Sequence, residues 1–268
     1  MAKLLSKVMS YYYLEKFNEL WPDNQSGKLE SIRPGITCQS PLLQDCYILN
    51  NKKNHSTPVI ILPDLFLYIV AHHLKDGSAR ISLVGPRTHS ITINRKRRTK
   101  TLMIKIPPLY LEHLLPFPIQ EITNRSATLG DIFGDELQEE ALEKVRSNEE
   151  NRFFQLLLKQ LQPFQIKNDK ISRAGLFFKH SAYSNVAQAA KAIGISNRHL
   201  QKIVNRQIGI APKKVLKIKR LTASLQLKTT NFSISFAQLA LESGYYDQSH
   251  MIAEYQEFIG KTPGELFE

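Results

Sequence analysis

The sequence predicts two parts of different class: an α+β N-terminal domain, a small β-sheet or partial barrel with helices, followed by an all-α domain. Three observations carry this reading. Short β-branched and aromatic segments punctuated by Pro, Gly and Asn fill residues 59–106, helical periodicity takes over from Asp135, and two stretches about fifty residues apart repeat one another.

At 268 residues the chain is long for one domain and comfortable for two. Its hydrophobic fraction of 42% and charged fraction of 22% are those of a globular chain and argue against disorder. The longest apolar run, Val59 to Ala71, is broken by Pro63 and Asp64 and falls short of the roughly 20 residues that span a bilayer. The opening MAKLLSKVMSYYYLEKF has no uninterrupted apolar segment and no small-residue cleavage site, so the expected location is cytoplasmic, with no membrane partner. Cys38 and Cys46 lie eight apart without a C-x-x-C or a matching His spacing, which reads as two thiols in a reducing compartment. His72 and His73 are neighbours on an expected strand and so point to opposite faces, which argues against joint metal binding. No metal and no cofactor is expected.

In the first part, strands are expected at Val59–Leu62, Phe66–Ala71, Ile81–Val84, Ile91–Ile93 and Leu102–Ile106. The basic run NRKRRTK (94–100) sits between the last two and reads as a solvated hairpin tip. Prolines 107 and 108 open an expected helix through Leu115. From Asp135, DELQEEALEKVRS and EENRFFQLLLKQLQ form an amphipathic pair with acidic first turns, and Phe153, Leu156, Leu157 and Leu161 face a sheet or a partner subunit. This places the first domain at 1–165 and a polar linker at 166–170.

Residues 171–268 read as all helix. AQAAKAIG (187–194) recurs as AQLALESG (237–244), and Gly209–Pro212 answers Gly260–Pro263 with the offset grown from 50 to 51, so the second copy carries one extra residue after its turn glycine. A small Ala permits close helix approach, Gly194 and Gly244 supply left-handed turn residues, Gly209 and Gly260 close the second helices, and Pro212 and Pro263 begin the next ones. This is the grammar of a helix-turn-helix, present twice: about 184–209 and about 234–260, joined by a linker helix at about 212–229.

Charge adds a function class. The net charge is +12, and residues 170–241 contain 13 basic residues and no acidic one, whereas 242–268 contain one basic residue against six acidic. Double-stranded DNA is the partner such a footprint fits. In the first unit Ser196 caps SNRHLQKIVNRQ, with Leu200, Ile203, Val204 and Ile208 inward and Arg198, Gln201, Lys202 and Asn205 outward. Arg and Lys suit guanine edges and Gln and Asn suit adenine. Arg206, Lys213, Lys214 and Lys217 are placed for phosphates. In the second unit Asp247 stands at the cap, Ser249, Ile252, Ala253 and Gln256 face outward, and polar readout retreats to Gln248 and Ser249. Glu254 and Glu257 have no place in DNA contact and suggest a protein partner.

These residues resemble the DNA-binding domain of the AraC/XylS family of bacterial transcription regulators. The likeness rests on A-x-x-x-G-I-S-x-R-x-L-Q-K (190–202), G-x-x-P (209–212), K-R-L-T-A (219–223), G-Y-Y-D-Q-S-H (244–250) and G-K-T-P (260–263). It implies two recognition helices in adjacent major-groove segments, reading through Arg198, Gln201 and Lys202, and through Gln248, Ser249, Ile252 and Ala253. The family's usual basic residue near Ala253 and Gln256 is missing, and its usual linker-helix Ala is Ser224. The first part resembles a sensor-like domain of a family subset at ILPD (61–64), LVGPRT (83–88) and FPIQEITNRSATLGDIFGDEL (117–137), with Leu65 where a glycine is usual. The resemblance implies an activator, RNA polymerase as a further partner, and an N-terminal domain that binds a small effector or forms a homodimer. An enzyme joined to such a domain, such as an alkyl-transfer repair protein, needs clustered zinc-bound cysteines that two separated Cys do not supply. An adaptor whose acidic second unit meets a protein remains the alternative. For DNA binding driven by the 170–228 charges, log K should fall against log salt with a slope of about −5 to −9, measured by titration at several ionic strengths.

Overall fold

The computed structural model describes residues 27–32, 46–51, 59–93, 97–107, 114–161, 173–179, 183 and 185–267. Its N-terminal half is a β-sheet region and its C-terminal half is helical. The strands are β1 (Gly27–Ile32), β2 (Cys46–Asn51), β3 (Val59–Ile61), β4 (Leu67–Leu74), β5 (Ala79–Val84), β6 (Ile91–Ile93), β7 (Arg98–Ile106) and β8 (Ser126–Thr128). Six of them form one antiparallel sheet in the order β1-β2-β7-β4-β5-β8, open at both ends among the described residues, and β3 pairs with β6 in a separate two-stranded ribbon.

That pairing corrects the reading of residues 94–100. β6 belongs to the ribbon and β7 to the large sheet, so the basic run joins two sheets and is not a hairpin tip. The physical reason is the company β7 keeps: flanked by β2 and β4, it has no edge left for β6. Residues 94–96, residues 108–113 of the helix expected through Leu115, the linker at 166–170 and Cys38 lie outside the described residues. β1, β2 and β8 are additions to the expected strands.

One sheet face is apolar. Cys46 and Ile48, Leu67, Ile69 and Ala71, Ile81 and Leu83, and Leu102, Ile104 and Ile106 alternate inward along their strands. Against them packs a helical hairpin, α2 (Asp135–Arg146) and α3 (Glu150–Leu161), which follows the single turn α1 (Gly130–Phe133). α2 has Asp135 and Glu136 in its first turn and Lys144 and Arg146 in its last, each charge at the helix end that favours it. Asn148 makes the turn at φ 55, a conformation asparagine tolerates, and Glu149 N–H reaches the Lys144 carbonyl at 2.9 Å. α3 then buries Phe153, Phe154, Leu157, Leu158 and Leu161 on the sheet side. Lys100 on β7 ties the corner down through Glu150 and Asn148 Oδ1.

The opposite sheet face is mixed. Tyr47, Thr101 and Lys105 are buried there, the Lys105 ammonium lies 3.8 Å from the Phe66 ring centroid, and Asp64 accepts from the Tyr68 hydroxyl. His72 Nδ1 is 3.0 Å from Thr101 Oγ1 and His73 Nδ1 is 2.8 Å from Thr99 Oγ1, so both rings are used within the sheet. Burial, with Arg98 and Arg80 adding repulsion, pulls His72 down to about 3.

The helical half comprises α4 (Arg173–Lys179), α5 (Val186–Ile193), α6 (Asn197–Ile208), α7 (Pro212–Thr230), α8 (Phe236–Glu242), α9 (Gln248–Ile259) and α10 (Pro263–Phe267). Its core also takes in Leu62 and Leu65 from the loop between β3 and β4, so the two halves share buried surface. Because folded His72 holds a proton less readily than an unfolded histidine, its contribution to stability is complete above about pH 6.5 and is lost as pH falls toward 3. Urea melts of wild type across this range should show that acid loss, and His72→Gln, which keeps a partner for Thr101 without titrating, should flatten it.

Candidate nucleic-acid interface

The duplication seen in the sequence is a duplication of hydrogen bonds. At the end of α5 the Ile195 N–H reaches the Ala190 carbonyl at 3.0 Å, and at the end of α8 the Tyr245 N–H reaches Ala240 at 2.9 Å, with Gly194 and Gly244 left-handed at φ 73 and φ 80. α6 begins with Ser196 Oγ accepting from His199 N–H, and α9 begins with Asp247 Oδ1 accepting from His250 N–H at 2.7 Å. Both helices end at a glycine bonded back one turn, Gly209 to Asn205 and Gly260 to Gln256. The first of these correspondences is offset by 50 and the later ones by 51, which places the extra residue of the second copy at Tyr245–Tyr246. Tyr246 is 86% exposed, directly before the cap of α9.

On α6, Leu200, Val204 and Ile208 are buried while Arg198, Gln201, Lys202 and Asn205 are all exposed along one face. Arg206 and Lys213 are exposed and Lys214 half-buried, where α6 ends and α7 begins. On α9, Gln248, Ser249, Ala253 and Gln256 are exposed and Ile252 is half-buried. Each expected base-reading residue therefore lies on the surface of its recognition helix.

Lys217 does not fit the expected phosphate set. Its Nζ lies 2.7 Å from Glu257 Oε2 and 3.7 Å from Glu254 Oε1, so it faces α9. The protein-partner reading of the acidic residues needs correction at Glu254, whereas Glu257 is exposed. Glu254 is only 2% exposed and is gripped by the Arg220 guanidinium, Nη2 to Oε1 at 2.6 Å and Nε to Oε2 at 3.3 Å. His250 Nε2 lies 3.2 Å from the same Oε1, and since its Nδ1 accepts the Tyr246 N–H, the neutral ring carries its proton on Nε2 and donates to the carboxylate. Arg220 also lies 4.9 Å from the centroid of Tyr245.

Ser224 is more than a small replacement. It is fully buried, its hydroxyl 2.8 Å from Tyr255 OH and from the Leu221 carbonyl, so it supplies the polar partner that a buried tyrosine requires. Further along α7, buried Lys228 donates to the carbonyls of Phe232 and Ile234 and fixes the turn into α8. Lys219 donates to the carbonyls of Phe177 and Phe178 at the end of α4, and burial lowers it to about 8. The basic linker helix thus directs Lys217, Lys219, Arg220 and Lys228 to partners within the protein.

The N-terminal half touches both recognition helices at the same end. The Ser90 N–H and hydroxyl donate to the last carbonyls of α9, Phe258 at 2.8 Å and Ile259 at 3.1 Å. Gln120 Nε2 donates to the Asn205 carbonyl near the end of α6. There Gly209, at φ 74, passes so close that a Cβ would lie 2.7 Å from Thr123 Oγ1.

A family model described as a helix-turn-helix domain matches residues 189–268. No curated protein matches the chain. Among solved structures the chain is similar to ToxT from Vibrio cholerae: one crystal form is 14% identical over 91% of this chain and 98% of that one, with a TM-score of 0.42. A point-substituted variant in its apo form is 13% identical over 83% and 96%, at 0.42, and an unsaturated-fatty-acid-bound form is 14% identical over 81% and 97%, at 0.38. Residues 189–268 are a DNA-binding helix-turn-helix domain.

Removing one member of the buried ion pair leaves an uncompensated charge under α9. Arg220→Met should destabilise the helical half by about 3–5 kcal/mol in urea melts, and Arg220→Met with Glu254→Leu should recover most of that loss.

Proposed function

We propose that the protein is a sequence-specific transcription regulator, an activator by its resemblance, in which α6 and α9 enter successive major-groove segments. In this reading Arg198, Gln201 and Lys202 read bases from α6, and Gln248 and Ser249 from the first turn of α9. Arg206, Lys213 and Lys214 hold phosphates and position the domain. The single observation that carries the reading is the repeated cap and turn geometry, which presents two helices of one shape with corresponding faces turned outward. The adaptor alternative rests on the exposed Glu257 alone of the two helix carboxylates, since Glu254 is enclosed against α7.

The N-terminal half is proposed as the controlling domain, through a small effector or a second subunit. What supports this is its hold on the ends of both recognition helices through Ser90 and Gln120: a shift in that half reaches α6 and α9 together. RNA polymerase is the partner an activator of this kind contacts.

Arg198→Ala and Gln201→Ala should each cost about 1–3 kcal/mol on a cognate duplex and relax base preference at one position. Competition binding against random DNA checks this. An equal loss on both duplexes would remove the readout role.

A further inference from the structure

Resting on the reading of α9 as a DNA-reading helix, we propose that it recognises thymine methyl groups, so that its half-site is defined by A·T pairs while the α6 half-site contains guanine. The two outward faces correspond residue for residue at an offset of 51, and they are chemical opposites. Arg198, Gln201, Lys202 and Asn205 of α6 are answered on α9 by Ser249, Ile252, Ala253 and Gln256. Spacings of three, four and seven put the latter on one face, with Ile252 half-buried and the other three exposed.

That face carries no charge. It has no Lys or Arg to bond guanine O6 and N7, and the helix's two carboxylates are engaged by cations: Glu254 is enclosed by Arg220, His250 and Lys217, and the exposed Glu257 is paired with Lys217. The ion pairs therefore remove the repulsion that would keep this helix off a polyanion, and leave a strip of a branched alkyl group and a methyl flanked by amides. In the major groove the one apolar feature a base pair presents is the C5-methyl of thymine. The flanking amides of Gln248 and Gln256 match adenine N6 and N7, so the alkyl and amide groups favour the same base pair, while the Ser249 hydroxyl accommodates any.

The test uses the full chain and a duplex enriched by it from a random-sequence pool. Thymidine is replaced by deoxyuridine in one half-site at a time, which removes the methyl and keeps the pairing, and 7-deazaguanine replaces guanine in the other half. Deoxyuridine in the α9 half should weaken binding about threefold per contacted methyl, and in the α6 half it should have little effect. 7-Deazaguanine should act in the α6 half. Ile252→Ala should shrink the deoxyuridine penalty, and Ala253→Arg should move preference in that half toward guanine, both with melting temperatures near wild type because neither side chain is in the core. A two-part footprint with equal affinity for thymidine and deoxyuridine in the α9 half overturns the proposal and leaves DNA reading intact. Failure to enrich any sequence overturns both.

Discussion

The helical half turns on one ion pair, Arg220 with Glu254, which joins the linker helix to the second recognition helix. A carboxylate so deeply enclosed is tolerable only with a bidentate partner. Around it the chain has assembled a small network. The Tyr245 ring lies 4.9 Å from the guanidinium, His250 holds the Tyr246 amide while donating to Glu254, and Lys217 bridges to Glu257. The pair fixes more than a helix crossing, because it sets which face of α9 is outside, and everything the second unit presents to a ligand follows from that rotation.

The basic character of α7 takes on a different meaning in this light. Of its cations, Lys217, Lys219, Arg220 and Lys228 are engaged with carboxylates or carbonyls of other elements. The linker helix is less a strip of positive charge for phosphates than a scaffold wired to α4, α8 and α9. Within the helical half, exposed cations gather on α6 and at the start of α7, whereas α9 has no Lys or Arg.

The class of each half can be read directly from the sequence, because strand alternation, paired turn glycines and N-terminal caps are local signals. The strands that escape such a reading lack these signals. β2 opens with Cys46, Tyr47 and Ile48 buried in succession and so without alternation, and β8 is the three residues SAT, too short to show a pattern. The basic run at 94–100 resembles a hairpin tip because a short link between two strands looks like one until the neighbours of each strand are known. At the site, the sequence does hold a signal for the ion pair. Glu254 falls on the inward stripe of Met251, Tyr255 and Phe258, and Ser224 and Lys228 fall on the inward stripe of Leu221 and Leu225. A charged residue on a buried stripe demands a partner of opposite sign, and the linker helix is the nearest source. The grip of Ser90 on α9 has no counterpart in local sequence, since the two segments are 169 residues apart.

Ser90 and Gln120 reach the C-terminal ends of α9 and α6, where carbonyls gather partial negative charge. Donors there neutralise the poles that a polyanion would repel. Twelve residues of helix, about 18 Å, separate those ends from the caps at Ser196 and Asp247. Two helix dipoles are thereby held with their electropositive ends turned away from the N-terminal half, so that half orients the field of both helices as well as their surfaces.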